Sequence, residues 1–263
     1  MKTTMKLIAL LLALGMAVCV FAGCGKNDAS SDSAYVQDKG TLVIGITDFA
    51  PMDYQENGKW VGFDADMAAA FAASLGVKAE FVEIEWETKT MELNDKNIDC
   101  VWNGMTLTDD VKNAMETSKP YFNNAQVVVV KSGVAAQYQD ADSIRDLAFV
   151  VEAGSAGAEE LDALGISYKE AATQADALME VAAGASEACV IDLLMAYAMI
   201  GEGTSYPDLT YTVKLNSEVY GVGFRKGSDL AAKLNDFFAA AYKDGSMIEI
   251  AEKYGVLDSM IAQ

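Results

Sequence analysis

The stretch Leu42-Val43-Ile44-Gly45-Ile46 is a short apolar run that ends at the polar pair Thr47-Asp48. A continuous apolar run of this length, bounded by turn residues, predicts a buried strand. Asp64 then begins an alanine-rich segment with apolar residues at helical spacing, and Gly76 closes it, which predicts a helix capped at both ends. Three elements follow: a strand over 79–84, a helix over 89–95 and a strand over 98–102. Two strand–helix–strand units in succession predict a mostly parallel sheet covered by helices.

The region after residue 125 contains a second set of alternating strand and helix patterns. Strands are predicted over 126–131, 148–151, 188–191, 209–215 and 220–224. Helices are predicted from Ser143, from Gly154-Ser155-Ala156-Gly157, over 174–183, from Asp192, over 229–243 and over 247–254. The predicted fold class is therefore α/β.

The acidic composition excludes several classes of function. The chain of 263 residues has 39 Asp and Glu against 19 Lys and Arg, a net charge of -20 and no histidine. Because phosphate binding needs clustered Lys and Arg, the charge argues against a nucleic-acid partner. Without histidine there is no Ser-His-Asp or Cys-His triad and no His-ligated zinc. We expect neither a metal nor a cofactor.

The N-terminus has the pattern of an export signal. Lys2 and Lys6 precede the apolar run 7–20. As a helix this run would cover only about two-thirds of a bilayer core, so it is too short for a membrane span. Residues 1–23 are therefore predicted to be a signal peptide.

The next residues resemble a lipid-attachment signal. Phe21-Ala22-Gly23-Cys24 is similar to the lipobox of bacterial lipoproteins, which implies cleavage before Cys24 and a lipid on its sulfur. The alternative is an ordinary signal peptide with an unrelated cysteine. Residues 24–39 are predicted to be a flexible tether, with folded structure beginning near Gly40.

Two cysteines lie within apolar runs. Cys100 is in the run 98–102, and Cys189 is in the run 188–191. Because free cysteine is among the most buried residue types and no histidine is present to activate a thiol, both are predicted to be buried thiols rather than a disulfide or a nucleophile.

Blocks of sequence between residues 40 and 257 resemble one protein family in their order and spacing. They cover residues 40–45, 60–66, 75–81, 97–99, 103–108, 118–122, 151–157 and 220–227. The chain thus resembles the polar-amino-acid solute-binding proteins of ABC importers, which have the periplasmic-binding-protein fold of type 2. This resemblance implies a two-lobed α/β fold with two hinge crossings.

The resemblance also implies the boundaries of the lobes. Lobe 1 would comprise residues 40–120 and 220–263, and lobe 2 would comprise residues 126–215. Segments 121–125 and 216–219 would form the hinge, and the two C-terminal helices would pack on lobe 1.

In this family the ligand lies in the cleft between the lobes, and lobe 1 would supply one wall. Gly104-Met105-Thr106 matches the segment whose backbone and hydroxyl hold the ligand carboxylate. Phe49 and Trp86 match positions that cover the ligand, and packing in the core is the alternative for both. Asp48 and Asn103, next to these segments, are further candidates.

Lobe 2 would supply the opposite wall. Ser155 and Ala156 lie at the predicted start of a helix, where free backbone N–H groups can bind an anion. Asp192 matches the acidic residue that binds the ligand ammonium, and its position after a strand would direct it into the cleft. The alternative for Asp192 is a helix N-cap. Glu152 is a candidate at a position where relatives often carry a lysine or an apolar residue.

One departure from the family pattern concerns the charge of the ligand. The family has an arginine five residues after the position of Thr106, where it pairs with the ligand carboxylate, but this chain has Val111 there. Losing this cation while adding Glu152 favours a ligand that is less anionic, including a cationic one.

The resemblance implies a lipid-anchored receptor on the extracytoplasmic face of the cell membrane. It would capture an amino acid or a related small amine, act as a monomer, and deliver the ligand to the permease and ATPase subunits of an ABC transporter. The alternatives are an enzyme on the same fold, such as a cyclohexadienyl dehydratase, and a ligand-binding sensor module. The enzyme is disfavoured because such substrates are dianionic and would need the missing arginine.

Overall fold

The computed structural model describes residues 31–263, which contain two large β-sheets flanked by helices and a two-stranded sheet within residues 54–61. The helices are α1 (Asp32–Lys39), α2 (Phe63–Ser74), α3 (Lys89–Asn94), α4 (Asp109–Ala114), α5 (Ala156–Leu164), α6 (Gln174–Ala183), α7 (Leu193–Met199), α8 (Leu230–Asp244) and α9 (Ser246–Lys253). The strands are β1 (Thr41–Ile46), β2 (Tyr54–Glu56), β3 (Lys59–Val61), β4 (Lys78–Glu83), β5 (Cys100–Thr106), β6 (Glu116–Thr117), β7 (Phe122–Asn124), β8 (Gln126–Lys131), β9 (Phe149–Glu152), β10 (Tyr168–Ala171), β11 (Ala188–Asp192), β12 (Leu209–Lys214) and β13 (Glu218–Phe224). The predicted signal peptide and Cys24 lie outside the described residues.

The first sheet has the strand order β4-β1-β5-β13-β6, with β7 also paired to β13. Strand β1 is parallel to β4 and to β5, as the two predicted strand–helix–strand units require. Strand β13, which comes much later in the chain, runs antiparallel to β5. The parallel arrangement predicted from the sequence is thus confirmed for β4, β1 and β5.

The second sheet has the order β10-β9-β11-β8-β12. Strands β10, β9 and β11 are parallel, and β8 is antiparallel to β11 and β12. In β8, residues 126–130 are all buried, as expected for a central strand of a sheet that is covered on both faces.

The chain passes between the two sheets at two neighbouring points. Only Ala125 separates β7 of the first sheet from β8 of the second, and the return passes through residues 215–217 between β12 and β13. Strand β7 pairs with β13 through Asn124 opposite Glu218 and Asn123 opposite Val219. Both segments predicted to be the hinge lie at these crossings.

Of the last two helices, α8 packs on the first sheet and α9 packs on α8 and α2. Phe237 of α8 contacts Phe71 of α2, with ring centroids 5.5 Å apart. Phe238 of α8 contacts Trp102 of β5, with ring centroids 5.6 Å apart.

Cys100 and Cys189 are free and fully buried, each on a different sheet, as predicted. Every helix within residues 31–263 is too short or too polar to cross a bilayer.

The prediction of a tether over 24–39 is wrong for residues 32–39, because these form α1. Val36 is completely buried, and Arg225 Nε donates a 3.0 Å hydrogen bond to Asp32 Oδ2. The backbone N–H of Ser33 donates a 2.9 Å bond to Asp229 Oδ1. Because these partners come almost 200 positions later, the polar composition of the segment gave no sign of them. The ordered structure therefore begins before Gly40.

Two further local predictions are wrong. No helix forms at Ser143, where residues 141–146 make turns. The Ser143 N–H donates a 2.9 Å bond to Asp140 Oδ1 and its hydroxyl donates a 2.7 Å bond to the Asp140 carbonyl, and these local bonds replace those of a helix.

Asp64 is not an N-cap, since α2 begins at Phe63 after Gly62. Its carboxylate is instead buried and accepts bonds from the Gly104 N–H at 2.6 Å and the Tyr121 hydroxyl at 2.8 Å.

Candidate functional site

A small cavity, with about 30 Å³ of space that water can reach, lies between residues of the two sheets. Ten of the eleven predicted site residues line it: Phe49, Trp86, Asn103, Gly104, Met105, Thr106, Glu152, Ser155, Ala156 and Asp192.

Asp48 is the predicted site residue that does not line the cavity. Thr47 and Phe49 on either side of it are buried, whereas Asp48 is exposed. Thr47 turns inward and accepts a 2.7 Å bond from Asn103 Nδ2, whereas Asp48 lies at a bend of the loop after β1. The structure thus separates Asp48 from the other candidates.

The end of β5 forms the first wall. Asn103 holds the loop after β1 in place, because its Oδ1 accepts a 2.9 Å bond from the Thr47 N–H. Gly104 has φ of +56°, and a Cβ there would lie 2.5 Å from the Phe49 ring, so only glycine fits. The Thr106 hydroxyl donates a 2.8 Å bond to Glu218 Oε1, which ties this wall to the second crossing.

The two predicted aromatic residues line the cavity and are also packed. Phe49 is buried and meets the ring of Tyr220 edge to face, with centroids 6.4 Å apart. The Lys89 ammonium lies over the ring of Trp86, 4.8 Å from the ring centroid. The core and cleft interpretations of these residues are therefore compatible.

The start of α5 forms part of the opposite wall. The Ser155 hydroxyl accepts a 3.2 Å bond from the Ala158 N–H and so caps the helix. Gly154 has φ of +66°, and a Cβ there would lie 2.8 Å from Cα of Glu87 on the first wall. The two walls lie close together here, where a side chain would separate them.

Asp192 lies at the end of β11 and is surrounded by hydrogen-bond donors. Its Oδ1 accepts bonds from Gln126 Nε2 and Gln174 Nε2, both at 2.8 Å. Its Oδ2 accepts bonds from Asn124 Nδ2 at 2.6 Å and the Tyr220 hydroxyl at 2.5 Å. The side chain makes no capping bond to α7, so the N-cap alternative does not account for it. Four protein donors already occupy the carboxylate.

The carboxyl groups of the cavity have unusual acidities. Burial, with the nearby Asp192 charge, raises the pKa of Glu152 to about 8, and Lys89 partly opposes this shift. Burial, with the nearby Glu218 charge, raises the pKa of Asp192 to about 7, against the opposing effect of its donors. Burial also lowers the pKa of Lys89. These shifts follow from placing several charges in a small, poorly hydrated space.

The sequence interpretation did not assign some of the residues that line the cavity. They are Lys89, Thr108, Gly154, Glu159 and Gln174. Gln174 follows β10, a four-residue edge strand without an apolar run, so the rule that cleft residues follow parallel strands could not be applied. Lys89 reaches the cavity because its Nζ donates bonds to the carbonyls of Trp86 at 3.2 Å and Gly154 at 3.0 Å.

The architecture and cleft agree with comparisons to known proteins. Residues 42–256 match the model of the bacterial extracellular solute-binding proteins, family 3. The chain belongs to this family. The chain is 28% identical to the L-cystine-binding protein of Escherichia coli strain K12 over 258 residues, which cover 96% of this chain and 94% of the relative. It is 25% identical to an arginine-binding extracellular protein of Bacillus subtilis over 263 residues, with 95% and 98% covered.

Solved structures show the same fold. A mutant of ArgBP from T. maritima matches with a TM-score of 0.79 and 30% identity, covering 85% of this chain and 98% of that one. A binding protein of an ABC uptake transporter from Streptococcus pneumoniae with bound histidine matches at 0.78 and 28%, covering 86% and 96%. An ancestral amino acid-binding protein, described as a precursor of cyclohexadienyl dehydratase, matches at 0.77 and 27%, covering 85% and 99%. The fold is thus the two-lobed periplasmic-binding-protein fold.

Proposed function

We propose that this protein captures an amino acid or a related small amine between its lobes and delivers it to the permease and ATPase of an ABC importer. The observation that carries the proposal is the charged cavity between the sheets, with Lys89 on one wall and Glu152 on the other. The relatives described above, named for binding cystine and arginine or solved with histidine, support this assignment.

Capture would proceed by closure of the lobes around the ligand. The hinge would consist of segments 121–125 and 216–219, at the two crossings between the sheets. The ligand would favour the closed state through the contacts that it gains with Glu152, Ser155 and Ala156 when the second wall approaches.

The test is calorimetric titration of purified, folded protein with the common amino acids and a set of diamines. Any bound compound is first removed by extensive dialysis, and the fold is checked by circular dichroism. We expect at least one titrant to bind with a Kd of about 1 μM or below. No binding from any titrant would contradict the proposed function. Size-exclusion chromatography with light scattering on the same sample tests the expected monomer.

We also propose that the protein is attached to the extracytoplasmic face of the membrane by a lipid on Cys24. The short apolar segment before it and the small residues Ala22 and Gly23 support this proposal. Mass spectrometry of the protein from membranes should find a diacylglyceryl group on a chain that begins at Cys24, and Cys24→Ser should prevent its attachment. An unmodified Cys24 in the mature protein would contradict it.

A second candidate function is dehydration, and one observation favours it. Glu152 has a pKa of about 8, so it would be protonated at neutral pH and able to act as a general acid. Against this, Asp192 and Glu159 also line the cavity, and their negative charges would repel a dianionic substrate. Incubation with a cyclohexadienyl substrate, followed by absorbance of an aromatic product, separates the two candidates.

A further inference from the structure

Glu152 differs from the other carboxylates of the cavity because the protein leaves part of it unpaired. It lies at the end of β9, is 3% exposed, and its Oε1 has no hydrogen-bond partner within residues 31–263. By contrast, Asp192 accepts four hydrogen bonds, and Glu159 is exposed at its position on the first turn of α5. A buried carboxylate oxygen without a donor is unfavourable, and a donor or a cation would relieve this cost.

Among the described residues, Glu152 has no paired cation, although the Lys89 charge acts on it from farther away. Lys89 is the one basic side chain among the described residues that line the cavity, and its Nζ is bonded to two backbone carbonyls. Within residues 31–263, no ion pair joins Lys89 or any other basic residue to Glu152. The cavity therefore contains three carboxylates against one lysine. When these groups are all ionised, a zwitterion leaves this negative excess unchanged, whereas a ligand with a net positive charge reduces it.

We infer that the Glu152 carboxylate receives the cationic end of the ligand, so that the preferred ligand is an amine or guanidine with a net positive charge. This inference rests on the proposed function and names the ligand class for the same cavity. Val111, which also lines the cavity, is apolar and adds no charge that would favour an anionic ligand.

Proton release is a consequence of this arrangement. The groups that face Glu152 are Asp192 of β11, Gln174 of α6 and Lys89 of α3, and the first of these, together with burial, favours the protonated form of Glu152. A ligand cation placed against Glu152 favours the ionised form, so binding at pH 7 transfers the Glu152 proton to the buffer. Calorimetry in buffers of different ionisation enthalpy measures this proton directly.

The experiment compares L-arginine with L-citrulline, its neutral analogue of nearly the same shape, on the intact protein. We expect arginine to bind at least about tenfold more tightly than citrulline, because a buried carboxylate pairs with the charged group. In Glu152→Gln, the affinity for arginine should fall by much more than the affinity for citrulline, so that the two affinities come within about threefold of each other. Thermal unfolding checks that this isosteric variant is folded.

The matched control is Glu170→Gln, which removes one negative charge from the exposed side of the neighbouring strand β10 and does not touch the cavity. It should keep the preference for arginine. Equal binding of arginine and citrulline to the wild type, or an equal loss of both in Glu152→Gln, would overturn the inference.

The same data distinguish the two proposals. If a neutral or acidic amino acid binds more tightly than arginine, lysine and agmatine, and its binding releases no proton, the inference fails while the proposed function stands. If no amino acid or amine binds to the folded protein, both fail.

Discussion

The Tyr220 hydroxyl, on a strand of the first sheet, donates a 2.5 Å hydrogen bond to Asp192 Oδ2, on a strand of the second sheet. Asn124, at the first crossing, donates to the same oxygen and also to Glu218 at the second crossing. The carboxylate of Asp192 therefore connects the wall of the cavity to both passages of the chain between the lobes.

Replacing Tyr220 with phenylalanine should remove this connection and keep the ring that packs against Phe49. We expect Tyr220→Phe to lower the free energy of unfolding by about 1.5–3 kcal/mol, the usual range for a hydrogen bond to a charged group. Urea unfolding followed by circular dichroism measures the change. Tyr242→Phe is the control, because the Tyr242 hydroxyl makes no hydrogen bond within residues 31–263, and it should change stability by less than about 0.5 kcal/mol. Equal stabilities of the two variants would contradict the prediction.

A second prediction concerns the close approach of the two walls at Gly154. Gly154→Ala places a Cβ 2.8 Å from Cα of Glu87, whereas Gly165→Ala, at nearly the same φ, meets no atom within 4 Å. Both variants should lose about 1 kcal/mol of stability from the positive φ alone. Only Gly154→Ala should also weaken ligand binding, by about tenfold, because its side chain opposes closure of the lobes. Calorimetry on both variants tests this, and equal affinities would show that closure does not bring these atoms together.

Much of the architecture follows from local sequence patterns. The apolar runs of β1, β5, β8 and β11 mark central strands, and the two strand–helix–strand units predict that β4, β1 and β5 are parallel. Strand β10 was missed because its residues Tyr168–Ala171 lie at the edge of the second sheet, where no apolar run is required. Helix α1 was missed because its stability comes from residues that are distant in the sequence.

The candidate site was predictable only in its outline. The family pattern brings ten candidates to one cavity, whereas Asp48 does not line it because its side chain is exposed at a bend of the loop after β1. The four donors around Asp192 come from β7, β8, α6 and β13, so no local pattern predicts that its carboxylate is fully bonded. The unpaired oxygen of Glu152 likewise depends on which side chains fail to reach it, and this is a property of the folded structure alone.

The raised pKa values predict a pH dependence of stability. Glu152 has a pKa of about 8 in the folded chain against an ordinary value of 4.5, and Asp192 has about 7 against 3.8. Between its ordinary pKa and its pKa in the folded chain, each group binds more protons in the folded state than in the unfolded state. The free energy of unfolding therefore falls as the pH rises, by at most about 1.4 kcal/mol per pH unit for each group.

Calorimetric unfolding between pH 5 and 9 should therefore show a falling Tm for the wild type and a flatter profile for Glu152→Gln. The variant should gain stability relative to the wild type as the pH increases, because it has no proton to lose at this position. The Tm of the exposed-site control Glu170→Gln should depend on pH in the same way as the Tm of the wild type. Parallel profiles for all three proteins would mean that Glu152 ionises as an ordinary carboxyl group.

The last prediction concerns Arg225, which joins the N-terminal helix to the first lobe. Its guanidinium bonds to Asp99 at 3.2 Å and Asp32 at 3.0 Å, and its Nη1 donates a 2.8 Å bond to the carbonyl of Ile98. Asp99 is completely buried, so Arg225→Ala leaves a buried charge whose only ionic partner within residues 31–263 is Lys39. We expect a loss of about 3–5 kcal/mol of stability.

Arg145→Ala is the matched control, because Arg145 is half-exposed and pairs with the exposed Asp142. It should cost less than about 1 kcal/mol, as exposed ion pairs usually do. Arg225→Ala should also release α1, which lies at the point where any attachment through Cys24 would enter the folded protein. Hydrogen exchange should then increase over residues 32–39 before it increases elsewhere in the first lobe. Unchanged protection of these residues in Arg225→Ala would mean that the other contacts of α1, which include buried Val36, the bonds to Asp229 and the Lys39–Asp99 ion pair, are sufficient to hold it.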